Sequence, residues 1–327
     1  METTKQNIVF IGAGSIGTAL GNIIAETGTS DVILHSIESK VVSAINSSGI
    51  NVKYFPTIRL DHRLKATSDN EVLSSADIIF LAIPSVVLID YLESIRKYLN
   101  PETILVNLAK GFGNGHKTII QYLQGQLPNP VCTLKGPSFA KEIINRIPTG
   151  FTLGTENEKI KAAVSEVFRG TSIYLDHTTD VTGVELLSIL KNIYAIVLGI
   201  VDAHFNSPNI RFLILTKAFN EMKNILLTYH GNEETLFKYC GYGDFTLTAL
   251  NDLSRNRTLG LLIGKGFFTE HVSHELVLEG KIAVTVFFEE ISKIRDITHE
   301  FPIISELYKI LNGKYDISGF VNTVLRF

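Results

Sequence analysis

The sequence predicts an α/β N-terminal half built on a doubly wound parallel sheet, followed by an all-α C-terminal half. Three observations carry this. Short β-rich apolar runs alternate with amphipathic stretches from residue 7 to about 176, the pattern turns helical near Asp180 and stays so, and no low-complexity linker or fixed-period repeat interrupts either half. Near-continuous apolar strands alternating with helices imply a parallel sheet covered on both faces. A chain of 327 residues accommodates two domains, and the change of pattern sets them at 1–180 and 181–327.

The strand candidates are Ile8–Ile11, Val32–His35, Ile78–Ile83, Thr103–Leu108, Val131–Leu134, Phe151–Gly154 and Ser172–Leu175, with helix-like stretches such as Ser85–Tyr98 and Glu158–Phe168 between them. The first strand runs directly into Gly12-Ala13-Gly14-Ser15-Ile16-Gly17 and then the helix-like TALGNIIAET. Gly12 permits a tight turn, Gly14 lets backbone approach a pyrophosphate, and Gly17 allows close helix–strand packing, while Ser15 and Ile16 begin a helix whose free N–H groups face the phosphates. A lone GxGxxG says little. One that closes strand one and opens the first helix of a βαβ series is a dinucleotide-binding turn, so the first domain is expected to be Rossmann-like and to take NAD or NADP. About 20 residues past the last glycine, a group should read the adenosine ribose. LHSIESK offers Ser36, Ile37, Glu38 and Lys40 there. Glu38 would accept from a 2′-hydroxyl and repel a 2′-phosphate, and residues 35–41 contain no arginine, which leans the expectation toward NAD. A solvated loop glutamate is the alternative reading.

In the second half, Val184–Val201 (VELLSILKNIYAIVLGIV) has the length of a membrane span, but Glu185, Lys191 and Asn192 interrupt it. A lysine at the centre of a span costs roughly 2.5–3.5 kcal/mol, so a buried helix and no membrane span are expected. That makes Lys191 a cation with little polar surface around it. Hydride transfer to a ketone builds negative charge on oxygen, and a lysine whose pKa is lowered by burial and a nearby cation is a usable acid near neutrality. Asp244 follows Gly241 and Gly243, and its carboxylate is read either as the group that orients this ammonium or as an N-cap for a helix beginning near Thr246. Arg255 and Asn256 suit a phosphate monoester, since a guanidinium donates two parallel bonds with an amide beside it. On the residues alone a solvated polar turn is the favoured reading, and Arg257 is expected to face elsewhere. Lys110 closes the strand of ILVNLAKG, at the carboxyl end where open sheets place ligands. Lys135 stands in a similar place and competes more weakly for the same role.

Other classes fall away. With 30 basic and 33 acidic residues the net charge is −3, so no basic excess points to nucleic acid. Cys132 and Cys240 form no CxxC pair and read as buried thiols in a reducing cytoplasm. The beginning, METTKQNIVFIGAG, lacks the long apolar run of a signal peptide. His271 and His274 have no evident third ligand, so no metal is expected. Ser85, Ser138 and Ser254 lack a GxSxG elbow.

Six segments occur in a distinctive order: GAGSIGTAL (12–20), NVKYFP (51–56), GPSFAKE (136–142), GVELLSILKNIYAIVLGI (183–200), GYGD (241–244) and SRNRTLG (254–260). Together, over nearly the whole chain, they resemble the bacterial-type NAD(P)-dependent glycerol-3-phosphate dehydrogenases. The resemblance implies a Rossmann domain, a helical second domain, a homodimer, and interconversion of dihydroxyacetone phosphate with sn-glycerol 3-phosphate. It implies Lys191 as proton donor and acceptor, Asp244 and Thr248 as its supports, and Lys110, Gly136 and Ser138 as lining the substrate pocket. Ser254, Arg255 and Asn256 would contact substrate, with Arg255 and Lys110 also meeting the cofactor. Ala140, Val277 and Glu279 would touch the cofactor too.

The chain departs from the family pattern in three places. The glycine-rich loop after the long helix, commonly like DGLGFGDN, reads Asp202-Ala203-His204-Phe205-Asn206-Ser207-Pro208-Asn209. The segment after GYGD is Phe245-Thr246-Leu247-Thr248-Ala249-Leu250, and strand two ends in His35, Ser36 and Ile37. These leave open a different polyol or keto-sugar phosphate as substrate. A non-catalytic dinucleotide sensor is the competing class, opposed by the presence of Lys110, Lys191 and Asp244.

Overall fold

The structure is a computed structural model in which residues 5–267, 274–313 and 316–326 are described, residues 274–279 by their backbone alone. The chain divides into two compact units, Met1–Val181 and Thr182–Phe327.

In the first unit each apolar run found in the sequence becomes a strand: β1 (Gln6–Ile11), β2 (Ser30–His35), β4 (Ile78–Leu81), β5 (Ile104–Asn107), β6 (Val131–Lys135), β7 (Thr149–Gly154) and β8 (Ile173–Thr178). A further strand, β3 (Lys65–Thr67), has only Ala66 buried, which is why no apolar pattern announced it. Among the described residues the eight strands lie in the order β3-β2-β1-β4-β5-β6-β7-β8. All neighbours run parallel except β6 and β7. The order reverses between β1 and β4, and a ligand crevice opens at the carboxyl ends of strands at such a reversal. Among the described residues six α-helices lie between these strands: α1 (Ser15–Thr27), α2 (Ser39–Ser48), α3 (Ser85–Ile95), α4 (Ile119–Gln126), α5 (Ala140–Ile144) and α6 (Glu158–Val167). Because strand side chains alternate, β1 feeds two cores: Ile8 and Phe10 pack with Leu20, Leu34 and Phe80, while Val9 and Ile11 pack with Ile79, Leu88 and Leu92.

The second unit is helical: α7 (Val181–Phe205), α8 (Pro208–Thr228), α9 (Asp244–Leu250), α10 (Arg255–Gly264), α11 (His274–Ser292), α12 (Ile297–Glu300), α13 (Pro302–Leu311) and α14 (Ile317–Arg326). From Gly183 to Asp202 every residue of α7 except Asn192 is buried. It is the one described helix long and apolar enough to cross a membrane, yet 94% of its apolar stretch is buried inside the fold. Each buried Leu or Ile contributes about 1.5–3 kcal/mol, which offsets the burial of Glu185 and Lys191. Glycines set how closely α10 crosses α7. A Cβ on Gly199 would lie 2.2 Å from the Arg257 carbonyl, and one on Gly260 would lie 2.0 Å from that of Ile196. The two backbones therefore touch. The segment that departs from the family loop is a tight helix–helix joint, with Asn206 at φ 42° and Pro208 starting α8.

Candidate active site

The glycine turn between β1 and α1 uses its three glycines differently. Gly12 sits at φ 114°, its N–H donates to the His35 carbonyl at 2.8 Å, and a Cβ there would meet the Ala82 carbonyl at 2.7 Å. A Cβ on Gly17 would lie 2.2 Å from the Gly12 carbonyl. Gly14, the N-cap of α1, is not required by packing: the nearest atom to its Cβ position is the Ala82 carbonyl oxygen, 4.0 Å away. That open approach is what a pyrophosphate needs. With Ser15 exposed and no acidic residue in the first turn of α1, the positive helix end is left for an anion. The turn fits a dinucleotide.

The sequence reading missed what braces this turn. Asn51 is fully buried, and its Nδ2 donates to the Ala13 carbonyl and to Thr18 Oγ1, both at 2.9 Å. Its Oδ1 accepts from the N–H groups of Lys53 and Tyr54, both at 3.2 Å. Glu38, the N-cap residue of α2, is half-buried and forms an ion pair with Lys53, Nζ to Oε2 2.7 Å.

At the carboxyl end of the sheet, Lys110 is half-buried just beyond β5. Lys135 is fully buried, and its ammonium donates to the carbonyls of Asn107 at 3.0 Å and Ala109 at 2.6 Å. It holds the segment leading into Lys110, which separates two lysines that looked alike in sequence. Gly136 is buried against β7, and a Cβ there would lie 2.3 Å from the Gly150 carbonyl. Ser138 Oγ donates to the Gly136 carbonyl at 3.1 Å, and Ala140 begins α5.

In the second unit, Lys191 Nζ donates to Asp244 Oδ1 at 2.5 Å and to Thr248 Oγ1 at 2.8 Å. The side chains of Lys191 and Asp244 are only 6% and 1% exposed. Asp244 and Thr248 stand one turn apart on α9, so one helix face presents both acceptors. The N-cap reading of Asp244 does not hold: Gly243 is the N-cap residue, and the carboxylate is turned to the lysine. The charge bonded to the ammonium is a carboxylate. Breaking one side of such a pair leaves an uncompensated buried charge, at a cost of about 3–5 kcal/mol.

Ser254 is buried and caps α10, its hydroxyl accepting from the Arg257 N–H at 3.3 Å. Arg255 is exposed and Asn256 half-buried on the first turn of α10. Arg257 faces the other way, as expected, but not toward solvent. It is buried, with Nη2 on Asp202 Oδ2 at 2.7 Å and Nη1 on Asp252. Arg211 Nε donates to both oxygens of Asp202 at 2.9 Å. Asp202 thus ties the starts of α8 and α10 to the end of α7. Glu221 is a second buried acid that sequence did not single out. It accepts from Tyr194 Oη at 2.9 Å and from the backbone N–H groups of Ile303 and Ile304 at 3.0 and 2.9 Å, and burial pushes its pKa up to about 7. Val277, Glu279, His271 and His274 lie outside the residues whose side chains are described.

A glycine turn left open to a pyrophosphate, and a buried lysine held by a carboxylate, are features that a dinucleotide-dependent oxidoreductase requires. Family comparison narrows the class. A model described as the NAD-dependent glycerol-3-phosphate dehydrogenase N-terminus matches residues 7–161, and one for the C-terminus of the same enzyme matches 180–322. The chain belongs to the NAD-dependent glycerol-3-phosphate dehydrogenase family. It is similar to a glycerol-3-phosphate dehydrogenase [NAD(P)+] of Clostridium botulinum, 33% identical over 94% of each chain. It is 32% identical over 96% of each chain to one of Methanothermobacter thermautotrophicus. A solved glycerol-3-phosphate dehydrogenase from Coxiella burnetii superposes with a TM-score of 0.90, at 28% identity over 99% of each chain.

Proposed function

We propose that this chain interconverts dihydroxyacetone phosphate and sn-glycerol 3-phosphate with NAD or NADP as coenzyme, the first unit binding the dinucleotide and the second carrying the proton-donating lysine. The bound coenzyme supplies or accepts the hydride. Lys191 gives its proton to the substrate oxygen as the ketone is reduced and takes it back in the reverse direction. The observation that carries this is the Lys191–Asp244–Thr248 constellation, which holds an ammonium in place inside an apolar unit. A developing alkoxide is stabilised most by a charge that need not reorganise.

Arg255, Asn256 and the N-terminus of α10 bind the phosphate, with Ser254 keeping that helix end in shape. Lys110, Gly136 and Ser138, at the end of the sheet, also contact the substrate, and Lys110 and Arg255 contact the coenzyme. The glycine turn, Ser15, Ile16, Glu38, Ala140, Val277 and Glu279 complete the coenzyme's contacts. The buried cysteines Cys132 and Cys240 accord with a reducing cytoplasm, and the working form is a homodimer.

The test is coenzyme oxidation over a panel of phosphorylated ketones and their unphosphorylated counterparts. Dihydroxyacetone phosphate should be turned over with the highest kcat/KM. A distinctly better keto-sugar phosphate would overturn the assignment of substrate, and no oxidation with any ketone would overturn the reading as an enzyme.

A further inference from the structure

The ion pair between Glu38 and Lys53 stands where a Rossmann domain reads the adenosine ribose, about 20 residues beyond the last glycine of the turn. An acid at that place accepts from a 2′-hydroxyl, and a cation there neutralises a 2′-phosphate. This chain holds both within 2.7 Å of each other. We infer that Lys53 is the residue that admits a 2′-phosphate, so that Glu38 and Lys53 together form a two-way reader of the coenzyme's adenosine end. The inference rests on the reading of the first unit as a dinucleotide-binding domain.

Lys53 is 53% exposed and Glu38 40%. An ion pair so exposed contributes little and opens at small cost. With a 2′-hydroxyl in place, Glu38 accepts its bond. With a 2′-phosphate in place, Lys53 leaves the single charge of the carboxylate for the larger charge of the phosphate, and its departure is also what the phosphate needs to tolerate Glu38 nearby. The ring of Tyr54, 5.3 Å beneath the ammonium, limits how far the side chain wanders.

Lys53 also has a fixed origin. Asn51 fastens the backbone of residues 53 and 54 to the Ala13 carbonyl of the glycine turn, so the stem of Lys53 is registered to the turn that approaches the pyrophosphate. An exposed lysine without such an anchor would be an ordinary surface charge. Lys40, the other lysine near this end of β2, has its side chain exposed on the first turn of α2. The lean toward NAD rested on residues 35–41 alone. Lys53 comes from outside that window.

Binding to the full chain separates the possibilities without turnover. Adenosine 2′,5′-bisphosphate and adenosine 5′-monophosphate are titrated calorimetrically, with NADPH and NADH alongside, into the wild type, Lys53→Met, Glu38→Gln and Lys40→Met. Losing one charge-assisted contact should weaken the bisphosphate and NADPH by about tenfold or more in Lys53→Met, while the monophosphate and NADH change little. Glu38→Gln should shift the ratio the opposite way, tightening the 2′-phosphorylated ligands relative to the others. Lys40→Met should leave the ratio near that of wild type. The inference is overturned if Lys53→Met weakens all ligands equally, if it weakens none, or if Lys40→Met produces the selective loss. Absence of binding by every nucleotide to the wild type would instead sink the dinucleotide reading, and this inference with it.

Discussion

Lys191 and Asp244 meet in a buried ion pair across 53 positions of sequence, with Thr248 closing the third side 2.8 Å from the ammonium. If the carboxylate fixes where that ammonium points, Asp244→Asn should keep the hydrogen bond and lose the charge. Removing one preorganised electrostatic partner costs about 10²–10³-fold in kcat. Single-turnover rates with dihydroxyacetone phosphate check this, and a variant within a few-fold of wild type contradicts it.

Arg255 lies exposed on the first turn of α10, at a helix end already suited to an anion. Arg255→Ala should raise KM for dihydroxyacetone phosphate by about ten- to a hundredfold. It should leave weak turnover of unphosphorylated dihydroxyacetone nearly unchanged. An equal loss with both ketones would show that Arg255 does not hold the phosphate.

Asp202 accepts from Arg211 and Arg257, and both it and Arg257 are buried. Asp202→Ala leaves the buried Arg257 guanidinium with the exposed Asp252 alone and takes the carboxylate from Arg211, at a cost of up to about 3–5 kcal/mol. The unfolding midpoint should fall by several degrees. Because Arg257 shares α10 with Arg255, KM should rise more than kcat falls. An unchanged melting curve would count against the assignment.

Glu221 titrates within the second unit, its pKa raised from 4.5 to about 7 by burial. The folded state therefore binds this proton more tightly than the unfolded state. The group's contribution is fully present below the unfolded value, and it is lost as pH rises through about 7. Glu221→Gln carries no such proton, so its stability relative to wild type should improve from pH 5 to pH 8. Denaturant unfolding at the two pH values measures this, and a difference independent of pH would refute it.

The sequence made some of this arrangement legible and concealed the rest for physical reasons. Strands β1, β2 and β4 to β8 showed because buried parallel strands are written as apolar runs, whereas the three residues of β3 bury only Ala66. Lys191 showed because a cation in an apolar helix is conspicuous, and Asp244 because glycines precede it. Arg257 and Asp202 meet across 55 positions, and no local pattern registers such a pairing. Lys110 and Lys135 both read as strand ends in the sequence, and only the fold shows that Lys110 lies beyond β5 while Lys135 ends β6 and is turned inward onto two carbonyls. Lys53 escaped notice because counting from the glycine turn looks along the chain, while Asn51 joins the two turns through space.

The most direct test of the account is the kinetics of Lys191→Met. Methionine keeps the apolar stem and much of the volume, so α7 should still pack. The charge and the proton are gone. General acid catalysis alone is worth about 10²–10⁴-fold, so kcat should fall by at least that range while KM and coenzyme binding, followed by NADH fluorescence, change little. Lys135→Met, which removes no group from the proposed chemistry, should lose far less of its kcat in the molecules that fold. A Lys191→Met enzyme that retains more than about a tenth of wild-type kcat, far above what the loss of a general acid allows, would contradict the assignment of the proton to Lys191.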